Sequence, residues 1–194
     1  RFGPYKFDNT VPTAGTMTMK LDTSSGAAYT NDTWTNHNVY IALNNDAQDA
    51  HSGVKGTTYT VNGGTATSNP TTLTETGTYT IVVTTTDNVG LTTSSTYTIK
   101  IDKVNPIAAT LTMKLDSSSG TAYTNNTWTN HDVYIALNND AKDEHSGVKQ
   151  TTYTVNGGAA TSNPTTLTET GTYTIVVTTE DNAGTSYNEA GNKA

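Results

Sequence analysis

The chain has 194 residues, no cysteine, and 17 acidic against 10 basic side chains, for a formal charge of -7 and a pI near 4.8. That balance leaves no basic stripe to meet phosphates, which excludes an ordinary nucleic-acid binder; no apolar run is long enough to insert into a membrane, and no disulfide framework can staple the fold. Apolar aliphatic residues are sparse and Thr supplies 45 positions, a composition that would suggest disorder were it not for strict alternation of Tyr, Ile and Val with Thr, which reads as narrow-cored two-sheet β structure with Thr on the wet faces.

Residues 17–90 recur as 111–184 at a constant step of 94, with 63 of the 74 positions identical. A step of that length matches one sandwich domain and exceeds any solenoid repeat. The predicted architecture is all-β: two tandem immunoglobulin-like Greek-key sandwiches over 8–102 and 103–194, preceded by a lone strand-like segment, 1–7.

Taken in order, the segment RFGPYKF comes first. Shifted by the repeat step, Tyr5, Phe7 and Asp8 fall on Ile99, Ile101 and Asp102, so it has the pattern of a last strand without its domain. FDNTVP and IDKVNP are then matching linkers, each with a Pro four residues after an Asp to keep the connection extended. In the first domain, 17–21 is the first strand, with Met17, Met19 and Leu21 inward. A polar, mobile loop follows, then a second strand with Val39, Ile41 and Leu43 inward. A third strand over 54–61 ends in Asn62-Gly63, a type I′ hairpin signal. Short strands are predicted over 65–68 and 71–74, a long one over 79–85, and a last one over 94–101 with Tyr97, Ile99 and Ile101 inward. Trp34 and Trp128 are predicted to cover one edge of each core. Leu, Gly and then Tyr just inside the sixth strand is how that strand starts in an immunoglobulin-type sandwich, which makes Tyr79 and Tyr173 candidates for a tyrosine corner.

The second domain repeats this pattern, but after Asp181-Asn182 nothing matches the inward Tyr97, Ile99 and Ile101, so it is expected to lack its final strand. Three explanations are open: strands supplied from outside this sequence at both ends; donation of Phe2, Tyr5 and Phe7 from one molecule into the open groove of the next, giving a head-to-tail filament; or an aberrant final strand built around Tyr187.

The motifs WTNHNVYIALNNDAQDAHSGVK, TYTVNGG, GTYTIVVTTTDNVG and YTIKID before a Pro together resemble the bacterial immunoglobulin-like repeats of cell-surface proteins, chiefly of Gram-positive bacteria, over nearly the whole chain. The resemblance implies an extracellular, non-catalytic module serving as stalk, spacer or fibre. Its alternative is an accessory carbohydrate-binding or adhesin module of a secreted polysaccharide-degrading enzyme, which would need two or three coplanar exposed aromatics.

The linker, the loop after the second strand and the loop after the sixth share one end of such a sandwich. This brings Asp8, Asp46, Asp49, Asp87 and Asn88 together in the first domain and Asp102, Asp140, Asp143, Glu144, Asp181 and Asn182 in the second, an oxygen-rich set suited to calcium. The resemblance supports calcium at such junctions. Turn formation explains Asp and Asn equally well. Asp49, His51 and Ser52 are too close in one loop to form a hydrolytic triad, so no catalytic residue is expected. The expected partners are copies of the chain or neighbouring modules, with a glycan as the other candidate.

Overall fold

The computed structural model describes residues 2–193, with side chains described through Tyr187. Two compact units meet at the step from Lys103 to Val104. Among the described residues there is no helix.

The first unit contains β1 (Met17–Leu21), β2 (Trp34–Thr35), β3 (Val39–Leu43), β4 (Val54–Val61), β5 (Thr71–Leu73), β6 (Gly77–Asp87) and β7 (Thr92–Ile101). They form a three-stranded sheet, β1-β3-β5, and a four-stranded sheet, β2-β7-β6-β4. All pairs are antiparallel except β2 with β7. Because side chains alternate across a strand, Tyr59, Ile81, Val83, Ile99 and Ile101 of one sheet point into one core with Val39 and Ile41 of the other, all essentially without exposure. Burial of each such side chain contributes about 1.5–3 kcal/mol.

The second unit repeats the plan with β8 (Leu111–Leu115), β9 (Val133–Leu137), β10 (Val148–Val155), β11 (Thr165–Leu167), β12 (Thr174–Asp181) and β13 (Ser186–Lys193), in sheets β8-β9-β11 and β10-β12-β13. Its core is Ala109, Tyr123, Val133, Ile135, Tyr153, Ile175 and Val177. A final strand is therefore present where none was expected, and it is the one containing Tyr187, which stands opposite Thr179. Backbone pairing needs no inward apolar residues, which is why the alternation rule does not find β13.

Other departures have equally local causes. Asn62 and Gly63 do adopt positive φ, 49° and 71°, and Gly64 N–H donates to Val61 O at 2.9 Å, as a type I′ turn requires. The strand expected after it shrinks to a single bridge between Tyr59 and Thr67. The loop after β1, expected to be mobile, is tied down: Tyr29 N–H donates to Met19 O at 3.0 Å, and Tyr29 Oη donates to Thr33 O at 2.5 Å and accepts from Lys100 N–H at 3.0 Å. Gly26 in that loop has no substitute, since a Cβ there would lie 1.8 Å from Leu21 O.

Candidate metal centre and strand-acceptor groove

Three turns converge at one end of the first unit. Asp8 in the linker accepts from Thr10 N–H at 2.9 Å through Oδ1 and from Ser52 N–H at 3.0 Å through Oδ2. Asp49 closes its own loop, with Oδ1 accepting from the amides of His51 (3.2 Å) and Gly53 (2.8 Å) and from Ser52 Oγ (3.3 Å). Asp87, fully buried where β6 ends, accepts through Oδ1 from Val89 N–H (2.9 Å) and Leu91 N–H (2.8 Å). These are Asx-type turns, in which a short carboxylate takes the place of a carbonyl. Carboxylate oxygens of Asp8, Asp49 and Asp87 lie within 4.8 Å of one another. Hydrogen bonds from Ser52 and Thr10 hold the Asp8 carboxyl below its ordinary value of 3.8, and His51, with Nδ1 3.9 Å away, pulls the same way.

Four of the other residues expected at the cation clusters, Asp46, Asp140, Asn88 and Asn182, are engaged elsewhere. Asp46 accepts from Thr16 N–H at 2.9 Å through Oδ1 and from the Thr16 hydroxyl through Oδ2; Asp140 does the same with Thr110, at 2.8 and 2.5 Å. Each caps the start of a first strand, and these bonds hold both carboxyls below their ordinary value. Asn88 Nδ2 donates to the carbonyls of Ser52 (2.8 Å) and Gly53 (3.0 Å), and Asn182 Nδ2 to those of Ser146 (2.8 Å) and Gly147 (3.0 Å), so both amides lock loops. Asp102 directly follows β7 in the first unit. In the second unit Asp143 Oδ1 accepts from the amides of His145 and Gly147, and Asp181 Oδ1 from those of Ala183 and Thr185, while Glu144 is exposed. Ser52 Oγ donates to Asp49 rather than to His51, so that loop does not set a base beside a nucleophile.

The two candidate corner tyrosines tie back four residues: Tyr79 Oη donates to Glu75 O at 2.9 Å and Tyr173 Oη to Glu169 O at 2.7 Å.

A second feature lies in unit 2. In unit 1 the end of β7 runs between two flanks, with Ile101 opposite Gly77 of β6 on one side and Thr35 of β2 on the other. Lys100 reaches Asp32 at 2.7 Å, with its ammonium 6.0 Å from the Trp34 ring centroid. In unit 2, β13 follows β12 only as far as Thr174, opposite Lys193. Residues 171–173 lie outside any strand, as do Trp128 and Thr129. What remains is a groove of about 260 Å³, lined by Tyr123, Trp128, Thr129, Val133, Leu167 and Gly171 among others, the repeat images of the residues around Lys100 and Ile101. Trp128 is 84% exposed, so it does not cover the core as expected; Trp34, in identical local sequence, is half-buried. Sequence reasoning missed this contrast because the covering strand lies more than 60 residues downstream in unit 1. Phe2, Tyr5 and Phe7 are 93%, 89% and 83% exposed and belong to no strand.

No family model matches the chain, and no curated protein matches it. Among solved structures it is similar to the fibronectin(III)-like modules of Clostridium thermocellum CbhA, at 13% identity, over 89% of this chain and 90% of that one, with a TM-score of 0.37.

Proposed function

We propose that the chain is a non-catalytic structural module of an extracellular bacterial surface protein or fibre, and that it associates head to tail by placing residues 5–7 of one copy in the unit 2 groove of the next. One observation carries this reading. The groove is the repeat image of the slot that Ile99, Lys100 and Ile101 fill in unit 1, and the exposed Tyr5, Lys6 and Phe7 stand at the same repeat positions. An added strand would continue the row that β13 leaves at Thr174, gaining backbone hydrogen bonds to residues 171–173 and burying two aromatic side chains. Charge supports the same occupant: residues 1–7 carry Arg1 and Lys6 and no acid, while Asp132 and Glu169 line the groove. Asp132 stands where unit 1 has Asn38. A contact between two different surfaces of one chain does not close and therefore propagates as a fibre.

The alternative is an accessory glycan-binding module, favoured by Trp128 exposed at a groove that Tyr173 also lines. Light scattering and negative-stain microscopy of the chain, beside a version lacking residues 1–7 and a Phe7→Asp variant, decide between them. Filaments that disappear in both altered chains are the expected result. Monomers throughout, with no response of Trp128 fluorescence to a peptide of residues 1–8, overturn the assembly reading; a Trp128 response to oligosaccharide instead establishes the alternative.

A further inference from the structure

We infer that Asp8, Asp49 and Asp87 form a binding site in unit 1 for one divalent cation of calcium size, a property independent of what fills the unit 2 groove. The three carboxylates converge, and two of them carry an oxygen that the protein leaves without a donor. Asp87 is fully buried; its Oδ1 is satisfied by two amides, and its Oδ2 has no hydrogen-bond partner. Asp49 Oδ2 is likewise buried and unpartnered while its Oδ1 takes three donors. Among the described residues only one other buried side-chain polar atom, Thr93 Oγ1, shares this condition. Buried carboxylate oxygens without donors are expensive, and one cation bound between them satisfies both.

The dimensions suit calcium. Oxygens bound to one calcium at about 2.3–2.6 Å can stand up to about 5 Å apart, and the three carboxylates supply oxygens within 4.8 Å of one another. All three donors are hard anionic oxygens, which favours calcium over softer metals. His51 Nδ1 stands 3.9 Å from Asp8 Oδ1, and one imidazole, with at most a single positive charge, cannot offset three carboxylates.

Unit 2 provides an internal contrast. Where unit 1 has Leu91, the repeat has Thr185, and the Thr185 hydroxyl donates to Asp181 Oδ2. The oxygen left unpartnered on Asp87 thus has a protein donor in its counterpart. Placing a hydroxyl at position 91 would satisfy Asp87 without a cation.

Calcium chloride titrated calorimetrically into the full chain at neutral pH, with melting followed in parallel, tests this. Asp87→Asn and Asp49→Asn keep the Oδ1 acceptor that forms each turn and are expected to lose one calcium equivalent and the associated rise in Tm. Leu91→Thr is expected to weaken that site tenfold or more while the calcium-free chain melts no lower than wild type. A wild-type chain with neither heat of binding nor a Tm rise at millimolar calcium overturns the inference, as does an Asp87→Asn chain with an unchanged number and affinity of sites. Should the Asn variants fail to fold, unchanged affinity in Leu91→Thr overturns it.

Discussion

Gly77 stands directly opposite Ile101 in the antiparallel register of β6 and β7, and Ile101 is fully buried there. The repeat image of Gly77, Gly171, lies outside any strand and lines an open groove. Two units of nearly the same sequence thus differ in one slot. Truncation of its occupant in unit 1, Ile101→Ala, is expected to cost about 2–5 kcal/mol, the usual range for a large core side chain. Urea denaturation measures the loss, and the emission of the neighbouring Trp34 should shift to the red as its surroundings loosen.

Trp128 reports on the same slot in unit 2. At 84% exposure it should be quenched efficiently by iodide, whereas the half-buried Trp34 should be shielded. In a Trp34→Phe background, a peptide of residues 1–8 is expected to move Trp128 emission to the blue and protect it from quenching. The same peptide with Phe7→Asp should do neither.

The buried tyrosines after the first strands should be unequal in worth. Tyr29 Oη donates to Thr33 O and accepts the N–H of Lys100 in β7, whereas Tyr123 Oη donates to Thr127 O at 2.6 Å. Removing the hydroxyl by Tyr29→Phe leaves a strand N–H unsatisfied and is expected to cost about 1–3 kcal/mol. Tyr123→Phe should cost less, as measured by chemical denaturation of the two variants side by side.

Acid should act on the first-strand caps. Asp46 is held below its ordinary 3.8 by hydrogen bonds from the Thr16 hydroxyl and amide, and Asp140 likewise by Thr110. A carboxyl whose folded-state value is depressed stabilises the fold above its unfolded value, and that contribution is lost as pH falls through the folded one. The loss is therefore expected below pH 3.8, with no change across the neutral range. In an NMR titration, Thr16→Val should return Asp46 toward its ordinary value and leave Asp140 where it is.

Much of the architecture was legible from local pattern. The alternation of Ile81 and Val83 with Thr, the Asn62-Gly63 turn and the corner at Tyr79 each depend on residues within one strand or one turn, so periodicity and turn chemistry locate them. The carboxylates of Asp8, Asp49 and Asp87 were also legible, because the order of strands in such a sandwich puts their three loops at one end. Asp46 was misplaced because turn-forming and cation-binding aspartates have the same local sequence, and only the position of Thr16 distinguishes them.

The sequence by itself determined the apolar core strands, the doubling and the absence of cysteine chemistry, since each follows from composition, from the 94-residue repeat or from a spacing within a few residues. Only the tertiary structure decided which of two identical TWTNH segments becomes a strand. Trp34 and Thr35 are strand because Lys100 and Ile101 arrive beside them, whereas among the described residues no strand pairs with Trp128 and Thr129. The tertiary structure also decided that Asp87 Oδ2 stays without a donor while Asp181 Oδ2 has one. Burial and hydrogen-bond satisfaction depend on groups distant in sequence or on the exact reach of one side chain, and neither is written in the local pattern that specifies the strands.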